Sequence, residues 1–258
     1  METPFNPFSL KEKHILVTGA SSGIGQAIAF SAARMGAIVH ALGRDKERLA
    51  ETLASLQEIS PQAHSVFSAD ITQPEEINNA ANSIIQSTSQ LHGVVHAAGL
   101  SRLAPFRQMT LNHLREVQSI NVEGPFLLSQ ALLKRGMIAN GGSILFISSI
   151  AAFIGVPGVG AYSGTKAALI AGSRCLAMEI VKRKIRSNCL APSLVKTPLF
   201  DLAAQTAGDD SIRRQETNHP LGFGTPEDVA NAAIFFLSDA SRWITGTTLV
   251  MDGGLTVN

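Results

Sequence analysis

Apolar runs of strand length alternate along this chain with longer segments of helical periodicity. Because the apolar runs show almost no polar alternation, each strand is expected to be buried on both faces, which is typical of a parallel sheet. We predict strands over residues 14–18, 37–42, 64–69, 91–97, 143–148, 186–191 and 247–251. We predict helices over residues 24–35, 46–59, 111–134 and 161–182, and further helices from Pro74 and Pro226. This pattern predicts an α/β fold, a doubly wound sheet of about seven parallel strands with helices on both faces.

Two helix starts have specific sequence signals. Thr72 and Glu75 have the spacing of a capping box, in which two side chains satisfy backbone amides of the first turn. Thr225 is expected to cap another helix, with Pro226 at its first position.

Length and charge limit the possible classes of protein. A chain of 258 residues can build one sizeable core, and no repeat or linker divides it, so we expect one domain over residues 1–258. The 21 basic and 20 acidic side chains nearly balance, which disfavours a role in binding nucleic acid or an anionic membrane.

Residue usage also bears on the cellular compartment. No charged residue occurs between Arg135 and Lys166, but glycines and a proline interrupt this stretch, so we expect no membrane span. Two cysteines, Cys175 and Cys189, cannot form a disulfide scaffold and lack metal-site spacing. The first nine residues have no signal-peptide pattern. A reduced, cytoplasmic setting is expected.

A glycine-rich turn follows the first strand directly and opens the next helix. In residues 18–25, Gly19 can make a tight turn, Gly23 lets backbone amides approach a pyrophosphate, and Gly25 permits close packing of helix and strand. The helix N-terminus adds positive partial charge. An ordinary strand-to-helix turn remains the alternative for this motif alone.

Tyr162 and Lys166 are spaced to share one face of a helix, and Tyr162 is the only tyrosine of the chain. A free tyrosine has a pKa of about 10, and a neighbouring ammonium is expected to lower that value toward the range useful for proton transfer. Such a phenol can protonate the alkoxide that forms when a carbonyl accepts a hydride. A Tyr-x-x-x-Lys pair is common, and taken alone it indicates two residues on a helix surface.

Together these motifs resemble the short-chain dehydrogenase/reductase family in its short, single-domain branch. The resemblance includes 18–25, Asp70, 96–99, Asn121 and 162–166, and continues to 252–254 near the end of the chain. It implies a Rossmann-like fold and a homotetramer that pairs the helices at 111–134 and 161–182. It also implies catalytic roles for Asn121, Ser149, Tyr162 and Lys166. Ser149 would hold the substrate carbonyl, and Asn121 would kink the long helix and hold a water that leads to Lys166.

The resemblance further implies which residues bind the nicotinamide cofactor. They are Gly19, Ser21, Ser22, Gly23, Ile24, Gly25, Arg44, Asp70, Ile71, Ala98, Gly99, Tyr162, Lys166, Val195 and Thr197. Gly43 stands where NAD enzymes have an acidic residue, and Arg44 follows it, so NADP(H) is favoured over NAD(H). The chain departs from the family pattern at Ser22, where a basic residue is common with NADP, at His96 and at Ser193.

The longest region without regular periodicity covers residues 193–224. Long loops in compact domains are often functional, so we interpret this one as a substrate lid with Leu194, Leu199, Phe200 and Leu202 on its inner face. A disordered surface insertion is the alternative.

These features predict an NADP(H)-dependent oxidoreductase that transfers a hydride between nicotinamide and a ketone or secondary alcohol, a small-molecule substrate. The resemblance leans toward a 3-oxoacyl thioester on acyl carrier protein. The alternatives are a nucleotide-sensing protein without turnover and a sugar-nucleotide-modifying enzyme of the same superfamily. No metal site is predicted, because His92 and His96 lack acidic or sulfur ligands nearby and are expected to be structural.

Overall fold

The computed structural model describes residues 6–198, 200–201 and 209–257. Within them, seven parallel strands form one sheet in the order β3-β2-β1-β4-β5-β6-β7. The strands are β1 His14–Thr18, β2 Ile38–Gly43, β3 Ser65–Ser68, β4 Leu91–His96, β5 Ile138–Ile147, β6 Arg186–Pro192 and β7 Thr248–Met251. The helices are α1 Gly23–Arg34, α2 Lys46–Ile59, α3 Pro74–Ser87, α4 Leu111–Gln118, α5 Gly124–Lys134, α6 Gly160–Ile180, α7 Asp209–Thr217 and α8 Pro226–Leu237. The predicted single-domain, doubly wound architecture is confirmed.

Two apolar clusters hold helices against the two faces of the sheet. Consecutive residues of β1 point to opposite faces and belong to different clusters. Ile15 packs with α1, α2 and α8, and Leu16 packs with α3, α5 and α6. Both side chains are fully buried, as expected for a strand covered on both sides. The strand order reverses direction next to β1, between β1 and β4, and open α/β sheets bind ligands beyond the carboxyl ends of their strands at such a point.

Two sequence-based expectations about helices differ in detail from the structure. The predicted helix over 111–134 contains a π-helical turn, Ser119–Glu123, which separates α4 from α5, and Asn121, where the resemblance implies a kink, lies in this turn. The capping box at Thr72 and Glu75 does not form, because Pro74 occupies the first turn of α3 and makes Gln73 the N-cap, without a side-chain cap bond. The capping box of α8 is present between Thr225 and Asp228.

Three histidines meet near the amino ends of β1, β2 and β4, at the opposite end of the sheet from the glycine-rich turn. His14 Nδ1 and His40 Nε2 are 2.9 Å apart, and His40 Nδ1 lies 2.7 Å from the Ser65 hydroxyl. His92 Nδ1 accepts the backbone amide of His14 at 3.1 Å. Burial lowers the pKa of His40 to about 4, and His14 and His64 add repulsion to its charged form.

We expect His40 to make the protein sensitive to mild acid. A histidine whose pKa is lower in the folded than in the unfolded chain binds fewer protons when folded, so stability falls as the pH drops below about 6.5. Between pH 7 and pH 5 the free energy of unfolding should fall by about 2 kcal/mol through this residue. Urea denaturation at both pH values measures it. In His40→Gln the free energy of unfolding should differ less between pH 7 and pH 5 than in the wild type. The same difference in both proteins would contradict the assignment.

Candidate active site

Ser149, Tyr162 and Lys166 meet beyond the carboxyl end of β5. Lys166 Nζ donates a hydrogen bond to the Ile147 carbonyl at 2.8 Å and lies 5.5 Å from the centroid of the Tyr162 ring. The Ser149 side chain lies close enough to that of Tyr162 to lower the pKa of the phenol. A hydroxyl, a phenol and an ammonium therefore lie side by side.

The two consecutive serines after β5 have different partners. Ser148 is buried, and its hydroxyl donates to the Lys166 carbonyl at 2.8 Å, so it anchors α6. The Ser149 hydroxyl accepts the backbone amide of Ala151 at 3.2 Å and interacts with Tyr162. Ser149 is thus the serine that lies beside the phenol.

Asn121 lies in the π-helical turn and is fully buried. Its Oδ1 accepts the Leu100 amide at 2.7 Å, and its Nδ2 donates to the Leu100 carbonyl at 2.9 Å and to Thr165 Oγ1 at 3.1 Å. These contacts explain an asparagine at a mid-helix position, where it is otherwise unfavourable. Asn121 fastens the segment after β4 to α6.

Gly99 joins this group at close range. A Cβ atom at this position would lie 3.4 Å from Lys166 Nζ and 3.5 Å from Asn121 Oδ1. All four residues that we expected to be catalytic are therefore adjacent or connected through one neighbour.

Sequence reasoning missed Thr165. Its hydroxyl donates to the Tyr162 carbonyl at 2.6 Å and accepts from Asn121, which links the π-helical turn to the start of α6. Threonine within a helix often bonds a carbonyl one turn earlier, and its position three residues after Tyr162 was the available signal.

The pKa of Tyr162 is shifted in the direction opposite to our expectation. Burial raises it above the ordinary value, and the Ser149 side chain opposes part of the rise. Burial also lowers the pKa of Lys166 to about 8, against an opposing effect of Cys189. The expectation that the Lys166 ammonium lowers the pKa of Tyr162 is wrong, because burial disfavours the charged phenolate and has the larger effect. Tyr162 is thereby held as a protonated phenol.

The glycine-rich turn packs tightly against the ends of β1 and β4. Gly19 has a φ of +66°, and a Cβ there would lie 2.8 Å from the Ala98 backbone. A Cβ on Gly25 would overlap the Gly19 carbonyl oxygen. The Thr18 hydroxyl accepts hydrogen bonds from the amides of Ala97 and Ala98 at 3.2 Å each, which aligns the ends of β1 and β4.

The N-terminus of α1 is open to an anion. Ser22 is the N-cap but forms no side-chain cap bond, and the first turn contains no acidic residue. The first amides of the helix therefore lack a side-chain acceptor and retain their positive partial charge. Ser21, Ser22, Gly23 and Ile24 are all partly accessible around this end. This arrangement fits the pyrophosphate of a dinucleotide.

Arg44 is exposed immediately after β2. A Cβ on Gly43 would lie 3.4 Å from the Ser21 hydroxyl, so the turn and the end of β2 are neighbours. Asp45 accepts the first amides of α2 and pairs with Arg48 at 3.3 Å. Among the described residues, Arg44 has no acidic partner. Its guanidinium remains free for an anionic ligand beside Ser21.

The other expected cofactor residues also lie at the carboxyl edge of the sheet. Asp70 Oδ1 accepts the Thr72 amide at 2.9 Å, and the Asp70 amide donates to Glu76. Ile71 is 6% exposed and packs against Gly124, so little of its side chain is available to a ligand. Val195 is buried directly beyond β6.

Thr197 faces the glycine-rich turn from the other side. Its Cγ2 lies 3.5 Å from where a Cβ of Gly23 would be, and its hydroxyl accepts the Phe200 amide at 3.2 Å. The cofactor cradle, which is the space beside the glycine-rich turn, is therefore bounded by α1 on one side and by the segment after β6 on the other.

The segment 193–224 is not irregular throughout, because it contains α7. Leu199 and Leu202, which we expected on the inner face of a lid, lie outside the described residues. Phe200 is half-buried and packs edge-on against Phe223, with 5.2 Å between ring centroids. Movement of this segment stays a prediction.

The side chain of His96 makes its contacts inside the fold. His96 is buried and stacks on Phe146 with centroids 4.8 Å apart, and its Nε2 lies 2.8 Å from the Ser129 hydroxyl. Burial lowers its pKa to about 3. Across the part of the chain that the structure describes, no group of three or more His, Cys, Asp or Glu side chains is arranged to hold a metal.

Within the described residues, no helix is long and apolar enough to cross a membrane.

Comparison with known families gives a match over most of the chain. The family model described as enoyl-(acyl carrier protein) reductase matches residues 19–256. D-threitol dehydrogenase of Mycolicibacterium smegmatis is 36% identical over 97% of this chain and 95% of its own length. The 3-oxoacyl-[acyl-carrier-protein] reductase of Thermotoga maritima is 32% identical over 96% of this chain and 99% of its own length. The chain belongs to the short-chain dehydrogenase/reductase family.

A solved structure of this family has a similar fold. The protein from Beutenbergia cavernae, described as an NAD(P)-dependent gluconate 5-dehydrogenase with bound NADP, superposes with a TM-score of 0.86. It is 34% identical, and the match covers 98% of this chain and all of that one. This short-chain dehydrogenase/reductase is accordingly an oxidoreductase that acts on alcohol or ketone groups with a nicotinamide cofactor.

Proposed function

We propose that this protein is an NADP(H)-dependent reductase of ketones, with the reverse oxidation of secondary alcohols at the same site. The observation that carries the proposal is the cluster of Ser149, Tyr162 and Lys166. The chemistry that the nicotinamide supplies when bound is hydride transfer to the carbonyl carbon. The protein's part is to hold the carbonyl and to deliver a proton to its oxygen.

Each polar group of the cluster has one task in this scheme. The Ser149 hydroxyl donates a hydrogen bond to the substrate oxygen and positions it. Tyr162, kept protonated by burial, gives its proton to that oxygen as negative charge develops. Lys166, anchored on the Ile147 carbonyl, places positive charge beside the phenolate that remains. Asn121 acts through Thr165 and the Leu100 backbone and positions the start of α6.

Preference for NADP(H) over NAD(H) is supported by the groups at the end of β2. Gly43 has no carboxylate to repel a 2′-phosphate, and the exposed Arg44 guanidinium is suited to bind one. The nearby Ser21 hydroxyl adds a further donor, 3.4 Å from the Cβ position of Gly43. Bound NADP in the related Beutenbergia structure is consistent with this preference.

Exposed apolar side chains in the segments around Ser149 and the start of α6 support a substrate with a hydrocarbon chain, and we take a 3-oxoacyl thioester as the substrate class. Leu103 is 64% exposed, Phe106 81% and Phe153 52%. The Phe106 ring packs on Gly160, two residues before Tyr162, and the Ala104 amide donates to the Gly158 carbonyl at 2.8 Å. An apolar rim stabilises an acyl chain and offers few hydrogen bonds to a polyol.

A substrate panel followed by nicotinamide absorbance tests this proposal. We expect NADPH-dependent reduction of 3-oxoacyl thioesters, with kcat/KM rising with chain length, and weak oxidation of polyols. Phe106→Ala should lower kcat/KM for the longer chains by about tenfold, because it removes part of the apolar contact. Phe8→Ala is the matched control, since Phe8 is 44% exposed and packs on Phe235 of α8. Efficient turnover of polyols alone would contradict the proposed substrate class.

We also propose a homotetramer that pairs α5 and α6 between subunits. The outer faces of these helices border a surface cavity of about 460 Å³ lined by Phe126, Leu133, Cys175 and Leu176. Met178 on α6 is 72% exposed. Apolar surface of this kind is typical of a subunit interface. Light scattering at micromolar concentration should give four times the mass of the chain, and a monomeric mass would contradict it.

A further inference from the structure

The two ends of the segment between β6 and α8 meet directly beyond β6. Val195 and Gly224 form a parallel bridge. The Lys196 amide donates to the Gly224 carbonyl at 2.9 Å, and the Gly224 amide donates to the Leu194 carbonyl at 3.1 Å. The base of this segment is therefore closed by backbone bonds next to Val195, a residue that we expect to bind the nicotinamide cofactor.

A pair of side chains adds a second connection at the same place. His219 is 3% exposed, and its Nε2 lies 2.7 Å from the Ser193 hydroxyl. Its Nδ1 lies 2.6 Å from the Gln215 carbonyl, in the last turn of α7. The ring packs edge-on against Phe223, with 5.2 Å between centroids. His219 thus connects the residue after β6 to the end of α7.

The partners determine which nitrogen carries the proton. A carbonyl oxygen only accepts, so Nδ1 of His219 must be protonated to bond Gln215. In the neutral ring Nε2 is then an acceptor, and the Ser193 hydroxyl donates to it. His219 also satisfies one of the carbonyls that a helix leaves unbonded in its last turn.

We propose that Ser193, His219 and Gln215 form a latch that positions the segment 193–197 for the reaction, with His219 and Ser193 as positioning residues. Ser193 begins the stretch that leads through Val195 to Thr197, and Thr197 faces Gly23 across the cofactor cradle. The latch holds α7 and this stretch in one arrangement before substrate binds. The kinetic part of this inference rests on the proposed reductase function.

Kinetics of matched variants test the latch. Ser193→Ala removes the donor, and we expect KM for the ketone substrate to rise about fivefold with a smaller change in kcat, as for loss of one net hydrogen bond used in ordering the site. Ser193→Thr retains a hydroxyl and should restore most of the affinity. His219→Asn keeps a donor toward Gln215 and loses the bond to Ser193. Adding Ser193→Ala to His219→Asn should therefore raise KM no further.

Two measurements need no turnover, so they separate the latch from the proposed function. Nitrogen NMR of the His219 ring should show the Nδ1-protonated form, with a change at Nε2 in Ser193→Ala. Amide hydrogen exchange in α7 should be faster in Ser193→Ala than in the wild type and in Ser193→Thr. If both hold but no ketone is reduced, the latch stands and the proposed function fails. Proton occupancy at Nε2 alone, or unchanged exchange together with unchanged KM, would overturn the latch.

Discussion

Tyr162→Phe should lower kcat for ketone reduction by about 10²- to 10⁴-fold, the range typical for loss of a positioned general acid. The substitution removes the transferable proton but keeps the ring. The contact between the ring and Lys166, 5.5 Å from its centroid, is therefore retained. Although Tyr162 is among the expected cofactor residues, the glycine-rich turn at residues 18–25 is expected to bind the pyrophosphate, so the dissociation constant of NADPH should change little.

Steady-state kinetics and a fluorescence titration with NADPH measure the two quantities separately. Ser163→Ala is the matched control, because Ser163 is the residue after Tyr162 in α6. This variant should retain near-normal turnover. Ser149→Ala should also reduce kcat, because it removes the hydroxyl beside the phenol. Near-normal turnover by Tyr162→Phe with an efficient substrate would show that another group supplies the proton.

Arg44→Ala should weaken NADPH binding by about 10- to 100-fold and leave NADH binding almost unchanged. The expected size is that of one or two charge-assisted hydrogen bonds to a phosphate. Arg44 has no acidic partner among the described residues, so its removal should not destabilise the fold through a broken ion pair. The selectivity arises because only NADPH carries the 2′-phosphate.

Titration of both cofactors into both proteins measures this effect. Arg48→Ala is the matched control, because Arg48 lies four residues further on, is also exposed and pairs with Asp45. Arg48→Ala should change the dissociation constants of NADPH and NADH by the same factor. The assignment is wrong if the wild type binds NADPH and NADH equally, or if Arg44→Ala weakens both to the same extent.

Most strand and helix positions were predictable because their signals are local. The strand over 14–18 and the helix over 46–59 agree with β1 and α2 in their bounds, since each is a continuous apolar or amphipathic run. β5 begins at Ile138, five residues before the predicted strand, because Gly141 and Gly142 conceal its apolar start. The sequence predicted a tight turn at Gly19, and its φ of +66° agrees; the close approach to Ala98 is visible only in the structure.

By itself, the sequence determined the doubly wound architecture, the family and the set of residues that meet beyond β5, because apolar periodicity and motif spacing are properties of the chain itself. Only the tertiary structure decided three features: the π-helical form of the kink at Asn121, the raised pKa of Tyr162 and the pairing of Ser193 with His219. Each depends on contacts or burial created by residues far apart in sequence. Desolvation and hydrogen-bond geometry arise from such packing, and spacing along the chain does not encode them.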